Sequence, residues 1–440
     1  MNMRKFMAVA AVATALVPAM GAVAEAQTQI QWWHGFTGRL AEILDRQVSE
    51  FNSSQNEYQV VATPKGTYSE TLNAGIAAFR AGEQPHILQV YEVGTATMMA
   101  AKGAIKPVHQ LMAEAKEPFD PANYLAAVTG YYTTADGEML SLPYNSSTPV
   151  LYINKQALEQ AGLDPETTPK TWPEVEEVLT KLKEAGNECP LTTTWQSWVH
   201  LENLSAYHNK PFATQQNGFA GTDVELVFNG DLQVRHIEKM SEWAKNGLFV
   251  YGGRTGEGAA RFRAGECGMM TESSAGYAGV KAEAKFPFAV SSLPYWPDEE
   301  GAPFNTIIGG ASLWVMSGHE DDEYVGVAKF LSYLSSPEVQ ARWHQETGYL
   351  PITQAAYELT KSQGFYEQNP GTDVAIQQMT GKEPTENSKG LRLGNFDQIR
   401  TIIDEELEAV WQGNKEPKAA LDEAVERGNQ LLRRFEQAAR

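Results

Sequence analysis

An α/β fold organised in two lobes is the class this sequence predicts, on three observations. Hydrophobic periodicity switches repeatedly between strand and helix along the chain. The length of 440 residues suits two domains of ordinary size. No internal repeat or low-complexity tether interrupts the pattern, so short segments join the lobes. With 42% hydrophobic and 20% charged residues, disorder and collagen-like repeats are excluded.

The elements follow in order. Arg4 and Lys5 precede an apolar run over residues 6–20, and both Ala22-x-Ala24 and Ala24-x-Ala26 fit a small-residue cleavage site. Residues 1–26 therefore read as a signal peptide, the run being shorter than the ~20 residues a spanning helix needs. Without them, 33 basic residues face 54 acidic ones, a net charge near −21. Nucleic acid and anionic lipid are poor partners for so acidic a surface. An exported, soluble, acidic protein is the expectation.

Residues 29–33 read as a strand, and Leu40, Ile43, Leu44, Val48 and Phe51 then share one helical face. Residues 58–62 form a second strand, Leu72, Ile76 and Phe79 mark a second helix, and residues 87–91 a third strand. This alternation implies a mostly parallel sheet flanked by helices. Ligands of such sheets sit beyond the carboxyl ends of strands, near His34-Gly35 and Tyr91-Glu92. Leu151-Tyr152-Ile153 continues the pattern, and Trp172-Pro173-Glu174 opens a helix ending near Gly186. Residues 312–316 form a further strand. Val325, Val327, Phe330, Leu331 and Leu334 mark a helix. Ile399, Ile402, Ile403, Leu407 and Val410 line another, and Pro417 starts the last.

Cys189 and Cys267 are the only cysteines. Each borders a strand-like run, so a bridge and two buried thiols are both open readings, while no zinc spacing is present. The eight histidines form no H-E-x-x-H pair, and no nucleophile elbow or phosphate loop occurs. The glycine-rich residues 252–258 read as a flexible loop. Glu405-Glu406 and Asp321-Asp322 read as surface charge. Small polar and aromatic residues do stand out in apolar, Gly-rich strings. These are Asn145-Ser146-Ser147-Thr148-Pro149, Trp195-Gln196-Ser197-Trp198, Ser273-Ser274, Gly309-Gly310 and Thr347-Gly348-Tyr349-Leu350-Pro351. Together they suit a cleft for a small polar ligand.

With residues 75–80, 88–100, 307–316, 390–394 and 425–435, these strings resemble the periplasmic glycerol-3-phosphate-binding family of bacterial ABC importers, extracellular solute-binding proteins. The resemblance runs nearly end to end after residue 26. It implies a periplasmic binding protein fold with the cleft at a hinge. Lobe 1 would comprise residues 27–146 and about 312–365, and lobe 2 about 147–311 and 366–440. It implies binding of sn-glycerol-3-phosphate and of glycerophosphodiesters such as glycerophosphocholine. It further implies a monomer, delivery to a membrane permease with a cytoplasmic ATPase, and no catalysis, cofactor or metal. The family's ligand residues carry over to Tyr68, Glu92, Ser147, Trp195 with Trp198, Ser273, Gly310, Tyr349 and Arg400.

Chemistry assigns expected roles to this set. Arg400 is the phosphate partner, through its planar fork. Ser147, Ser273, Tyr349 and the Gly310 N–H serve the remaining phosphate oxygens. Glu92 and Tyr68 take the glycerol hydroxyls, and Trp195 covers the carbons. Glu272, beside Ser273, departs from the family pattern; strand alternation should point it away from the ligand. An oligosaccharide receptor of the same fold and an exported hydrolase are the alternative readings.

Overall fold

The computed structural model describes residues 27–134 and 136–439. The signal-peptide reading of residues 1–26 therefore lies outside the described residues. No described helix is long and apolar enough to cross a membrane.

Among the described residues, nine strands build two sheets. They are β1 (Thr28–His34), β2 (Tyr58–Pro64), β3 (Ile87–Tyr91), β4 (Leu142–Ser147), β5 (Pro149–Asn154), β6 (Cys189–Thr193), β7 (Cys267–Ser273), β8 (Phe288–Ser292) and β9 (Gly309–Val315). The first sheet has the order β2-β1-β3-β9-β4, the second β6-β7-β5-β8. In β1, Ile30, Trp32 and His34 alternate inward, as a strand period of two requires. Every residue of β3 is buried, because elements cover both its faces. The helix Gly38–Ser54 buries Ile43, Leu44, Val48 and Phe51, the face expected from their spacing. The helix Trp172–Glu184 begins at a capping box between Thr171 and Glu174.

The sheets are mixed, which corrects the expectation of mostly parallel ones. β1 runs parallel to β2 and β3, and β6 to β7. β9 is antiparallel to β3 and β4, and β5 to β7 and β8. Connectivity is the cause. The chain passes from the first sheet to the second at the single residue Thr148 and returns between Ser292 and Gly309. β9 thus enters the first sheet from the second, not through a local strand-helix-strand crossover.

Cys189 and Cys267 are register partners on adjacent strands and form a disulfide. Both are fully buried, with 78 residues of separation. In the chain-entropy account, cross-linking so long a loop contributes about 4 kcal/mol. The Cys189→Ser, Cys267→Ser double variant should lose most of that in urea unfolding. An unchanged midpoint would contradict the loop-entropy account.

The helices Phe396–Trp411 and Pro417–Ala439 close the chain. Ile399, Ile403, Leu407 and Val410 are buried, and Arg400 is buried among them. The adjacent pair Glu405-Glu406 is only half a surface feature. Glu406 is buried and binds Lys415 (2.5 Å) and Arg427 (2.8 Å), because two neighbouring cations compensate its loss of water.

Candidate ligand-binding site

The carboxyl ends of β3, β4, β6 and β7 converge with the start of β9. Two clusters of side chains form there, one neutral and one charged.

The neutral cluster surrounds the crossing at Thr148. Ser147 ends β4 opposite Gly309, and Ser146 lies opposite Gly310. Ser273 ends β7 opposite Pro149, and the Ser274 N–H donates to the Thr148 carbonyl (2.9 Å). The Leu350 N–H donates to the Ser146 carbonyl (2.8 Å), which brings Tyr349 alongside. Tyr349 stacks on Trp343 (5.7 Å between centroids, 3° between planes). Trp198 packs against Gly309, where a Cβ would meet its ring at 2.4 Å.

A directed hydrogen-bond chain reaches this cluster from β1. The Gly35 N–H donates to Gln89 Oε1 (2.8 Å), which turns the Gln89 amide N–H toward Asn145 Oδ1 (2.9 Å). Asn145 Nδ2 then donates to Tyr68 Oη (2.9 Å). The Tyr68 hydroxyl proton is left for Tyr349 Oη, at 3.3 Å, or for a ligand. Tyr68 is the first residue of the helix Tyr68–Ala81, held by a capping box between Thr67 and Glu70, and it stacks on Tyr91.

The charged cluster centres on Arg400. Its Nε and Nη2 donate to the two oxygens of Glu202 (2.9 and 2.7 Å), and Nη2 also donates to Glu92 (2.7 Å). Burial alone would lower the guanidinium, and the two carboxylates hold it above its ordinary value. Burial raises Glu202 despite Arg400 beside it. Burial also pushes Asp404, one helical turn from Arg400, up to about 7, and its Oδ1 has no hydrogen-bond partner.

Trp195 adjoins the neutral cluster through Tyr68. Its ring lies 6.4 Å from that of Tyr68, and its backbone holds φ +47°. The turn is pinned by its N–H donating to the Thr255 carbonyl (3.0 Å) and by the buried Gln196, which accepts from Trp411 Nε1 (2.7 Å). The loop over residues 252–258, expected to be flexible, is tied down. Arg254 forms a bidentate pair with Glu408, which also accepts from Tyr251.

Glu92 and Arg400, expected at opposite ends of a ligand, are joined by an ion pair of 2.7 Å. Glu272 does not simply turn away from Ser273. Its carboxylate folds back to accept from the Ser273 N–H (2.7 Å) and is buried, which pushes it up to about 7. Glu202 was not anticipated. Its one sequence signal is an acid inside the apolar run Trp198-Val199-His200-Leu201-Glu202, a position that demands a partner once buried.

A model of the bacterial extracellular solute-binding proteins matches residues 46–372. An sn-glycerol-3-phosphate-binding periplasmic protein of Yersinia pseudotuberculosis is 55% identical over 96% of this chain and 97% of its own. The chain belongs to the bacterial extracellular solute-binding protein family. A relative of the same description from Escherichia coli is 53% identical over 97% of this chain and 98% of its own. The crystal structure of UgpB from Mycobacterium tuberculosis in complex with glycerophosphocholine shares the fold, with TM-score 0.79 and 20% identity over 93% of this chain and 99% of its own. Maltose-bound MalE3 of T. maritima also shares it, with TM-score 0.74 and 18% identity over 92% of this chain and 100% of its own.

The described residues also bring His86, His319 and Glu323 together, a group the sequence did not suggest. The Gln31 N–H donates to His86 Nδ1 (3.0 Å), which places the proton of the neutral ring on Nε2. Glu323 Oε1 lies 3.4 Å from that nitrogen, which in this tautomer carries a proton and offers no free lone pair.

The buried acids of this family member make its stability depend on pH. Asp404 and Glu272 have raised values, so their contribution is full below the ordinary carboxylate range and is lost as pH rises through about 7. The loss is on the order of 3 kcal/mol per group. On the acid side, burial lowers His34, His208 and His344 to about 4 and His200 to about 3. Their contribution is lost as pH falls through those values. Between pH 6 and pH 8.5 the histidines, whose ordinary value is 6.5, act in the opposite direction, so the acids are isolated by comparison: over that range Asp404→Asn should lose less stability, or gain more, than the wild-type chain in urea unfolding. An unchanged alkaline slope in the variant would remove Asp404 from the account.

Proposed function

We propose that the protein is a periplasmic receptor for sn-glycerol-3-phosphate, which it delivers to an ABC permease with a cytoplasmic ATPase. The observation carrying this reading is the division of the site into a neutral donor end and a charged end. At the neutral end the phosphate accepts from Ser147, Ser273, Tyr349 and the Gly310 N–H, without a formal cation. At the charged end a hydroxyl donates to Glu92 and accepts from Arg400. Trp195 covers the glycerol carbons, and Trp198 backs Gly309. Relatives more than half identical, named for sn-glycerol-3-phosphate, support the same ligand. A glycerophosphodiester fits the same end groups and is the second ligand to test, since the M. tuberculosis relative holds glycerophosphocholine.

The two sheets serve as lobes that close on the ligand. Contacts between them support a closed arrangement: Glu92 with Arg400, Tyr68 with Trp195, and Ser69 Oγ donating to Asp397 (3.0 Å). Binding and release are the whole activity, with no chemical step. Calorimetric titration with sn-glycerol-3-phosphate, glycerophosphocholine and maltose tests this. Heat and a thermal shift with a phosphate ligand are expected. Silence with both phosphate ligands and a response to maltose would favour the oligosaccharide reading.

A further inference from the structure

Arg400 is the one cationic side chain among the nine expected ligand residues, and the edge it offers to anions is already taken. A guanidinium with Nε and Nη2 unopposed in a desolvated cleft is a general oxyanion receptor, because the two parallel N–H groups match a carboxylate or a phosphate equally. Glu202 occupies that edge with both of its oxygens, at 2.9 and 2.7 Å. Its side chain is 1% exposed, so neither water nor a ligand reaches it without opening the packing. Glu92 then takes the outer proton of Nη2. No described protein atom takes Nη1.

An oxyanion approaching Arg400 therefore meets two carboxylates with the cation already matched. Asp404, on the same helix, adds a third acid. A hydroxyl meets the opposite situation. It can donate to Glu92 and accept from Nη1, so it completes the cluster without displacing anything.

Glu202 comes from the π-helical turn Trp198–Asn203. This turn also carries Trp198, the ring packed on Gly309, so the carboxylate and the ring wall are fixed by one rigid segment. Asn203 secures the turn by donating to the Trp198 carbonyl (3.1 Å) and accepting from the Ile307 N–H (2.9 Å).

We propose that Glu202 is a specificity-determining residue, which blocks the anion-binding edge of Arg400 so that the cleft rejects bare oxyanions and admits only a phosphate that carries a polyol. The inference rests on the glycerol phosphate reading above. Specificity of this kind comes from a repulsive element built against the wrong ligand. Inorganic phosphate could satisfy the neutral end alone but would gain nothing at Arg400.

The test is calorimetric titration of the wild-type chain and Glu202→Gln with inorganic phosphate and with sn-glycerol-3-phosphate, folding being checked by circular dichroism. The amide keeps the size and place of Glu202 but removes its charge, so Arg400 is left with Glu92 as its direct countercharge and an oxyanion no longer meets a fully matched cation. Inorganic phosphate should tighten at least about tenfold in the variant. Its affinity relative to glycerol phosphate should rise by about thirtyfold or more. A folded variant with inorganic phosphate affinity unchanged overturns the proposal. If Glu202→Gln does not fold, Glu202→Ala gives the same reading, since it removes the carboxylate from the edge altogether. A wild-type chain that ignores sn-glycerol-3-phosphate would sink the receptor reading. The gain or absence of inorganic phosphate binding between wild type and variant is measured without that ligand.

Discussion

Replacing Arg400 by alanine should weaken sn-glycerol-3-phosphate binding by about 30-fold to several thousand-fold, the range for removing one partner of a buried charged pair. It should also destabilise the unliganded chain by about 3–5 kcal/mol. Two costs combine. On the proposed reading the ligand loses a donor at its hydroxyl end, and Glu92 and Glu202 are left facing each other without the cation that joins them. Both carboxylates are nearly out of water, so one of them must take up a proton in the variant. The pattern of loss separates the two possible roles of Arg400. If it serves the hydroxyl end, the penalty for glycerol phosphate should exceed that for propyl phosphate, which lacks both hydroxyls. Equal penalties for the two ligands would return Arg400 to the phosphate, as the sequence alone suggested. Unchanged affinity for glycerol phosphate would remove it from the site.

The Arg400 cluster shows which information the sequence carried. Strands such as β1 and helix faces such as Ile43, Leu44, Val48 and Phe51 were legible because burial repeats at a fixed period. Strand direction was not, because a strand has the same period whichever way it runs, and β9 enters its sheet after a long excursion. The disulfide stayed open for a related reason. Spacing along the chain does not fix the register that sets Cys189 opposite Cys267. At the site, residue types were legible and partnerships were not. Arg400 reads as an anion ligand in isolation. Its partner Glu202 is 198 residues away, with no periodic signal to announce it. Trp195 reads as a stacking ring, but its left-handed backbone and the brace of Gln196 on Trp411 exist only once the last helices dock. The acid in an apolar run was the clue available, since a buried charge demands an opposite one.

Gly310→Ala should be the most damaging single-methyl change in the site. Gly310 holds φ +91°, a conformation that side chains other than hydrogen rarely adopt. An added Cβ would lie 1.9 Å from the Asn145 carbonyl oxygen. That oxygen belongs to the backbone of β4 and cannot swing aside as a side chain would. Relief requires β4 and β9 to separate where Ser146 pairs with Gly310. Asn145 also orients Tyr68, so the displacement would travel through Asn145 Nδ2 to the Tyr68 hydroxyl and on to Tyr349. A loss of several kcal/mol is expected, about 4 or more, well beyond the usual effect of a point substitution. Glycerol phosphate binding should be abolished with it, because the Gly310 N–H moves away from the phosphate end. Gly413→Ala provides the control. Gly413 has φ +71° with nothing within 4 Å of an added Cβ, so it isolates backbone strain from collision. That strain alone costs about 1–3 kcal/mol. Urea unfolding of the two variants side by side measures the difference. If Gly310→Ala is no worse than Gly413→Ala, the close approach of β4 and β9 does not constrain the site, and glycine at 310 serves only the turn of its own backbone.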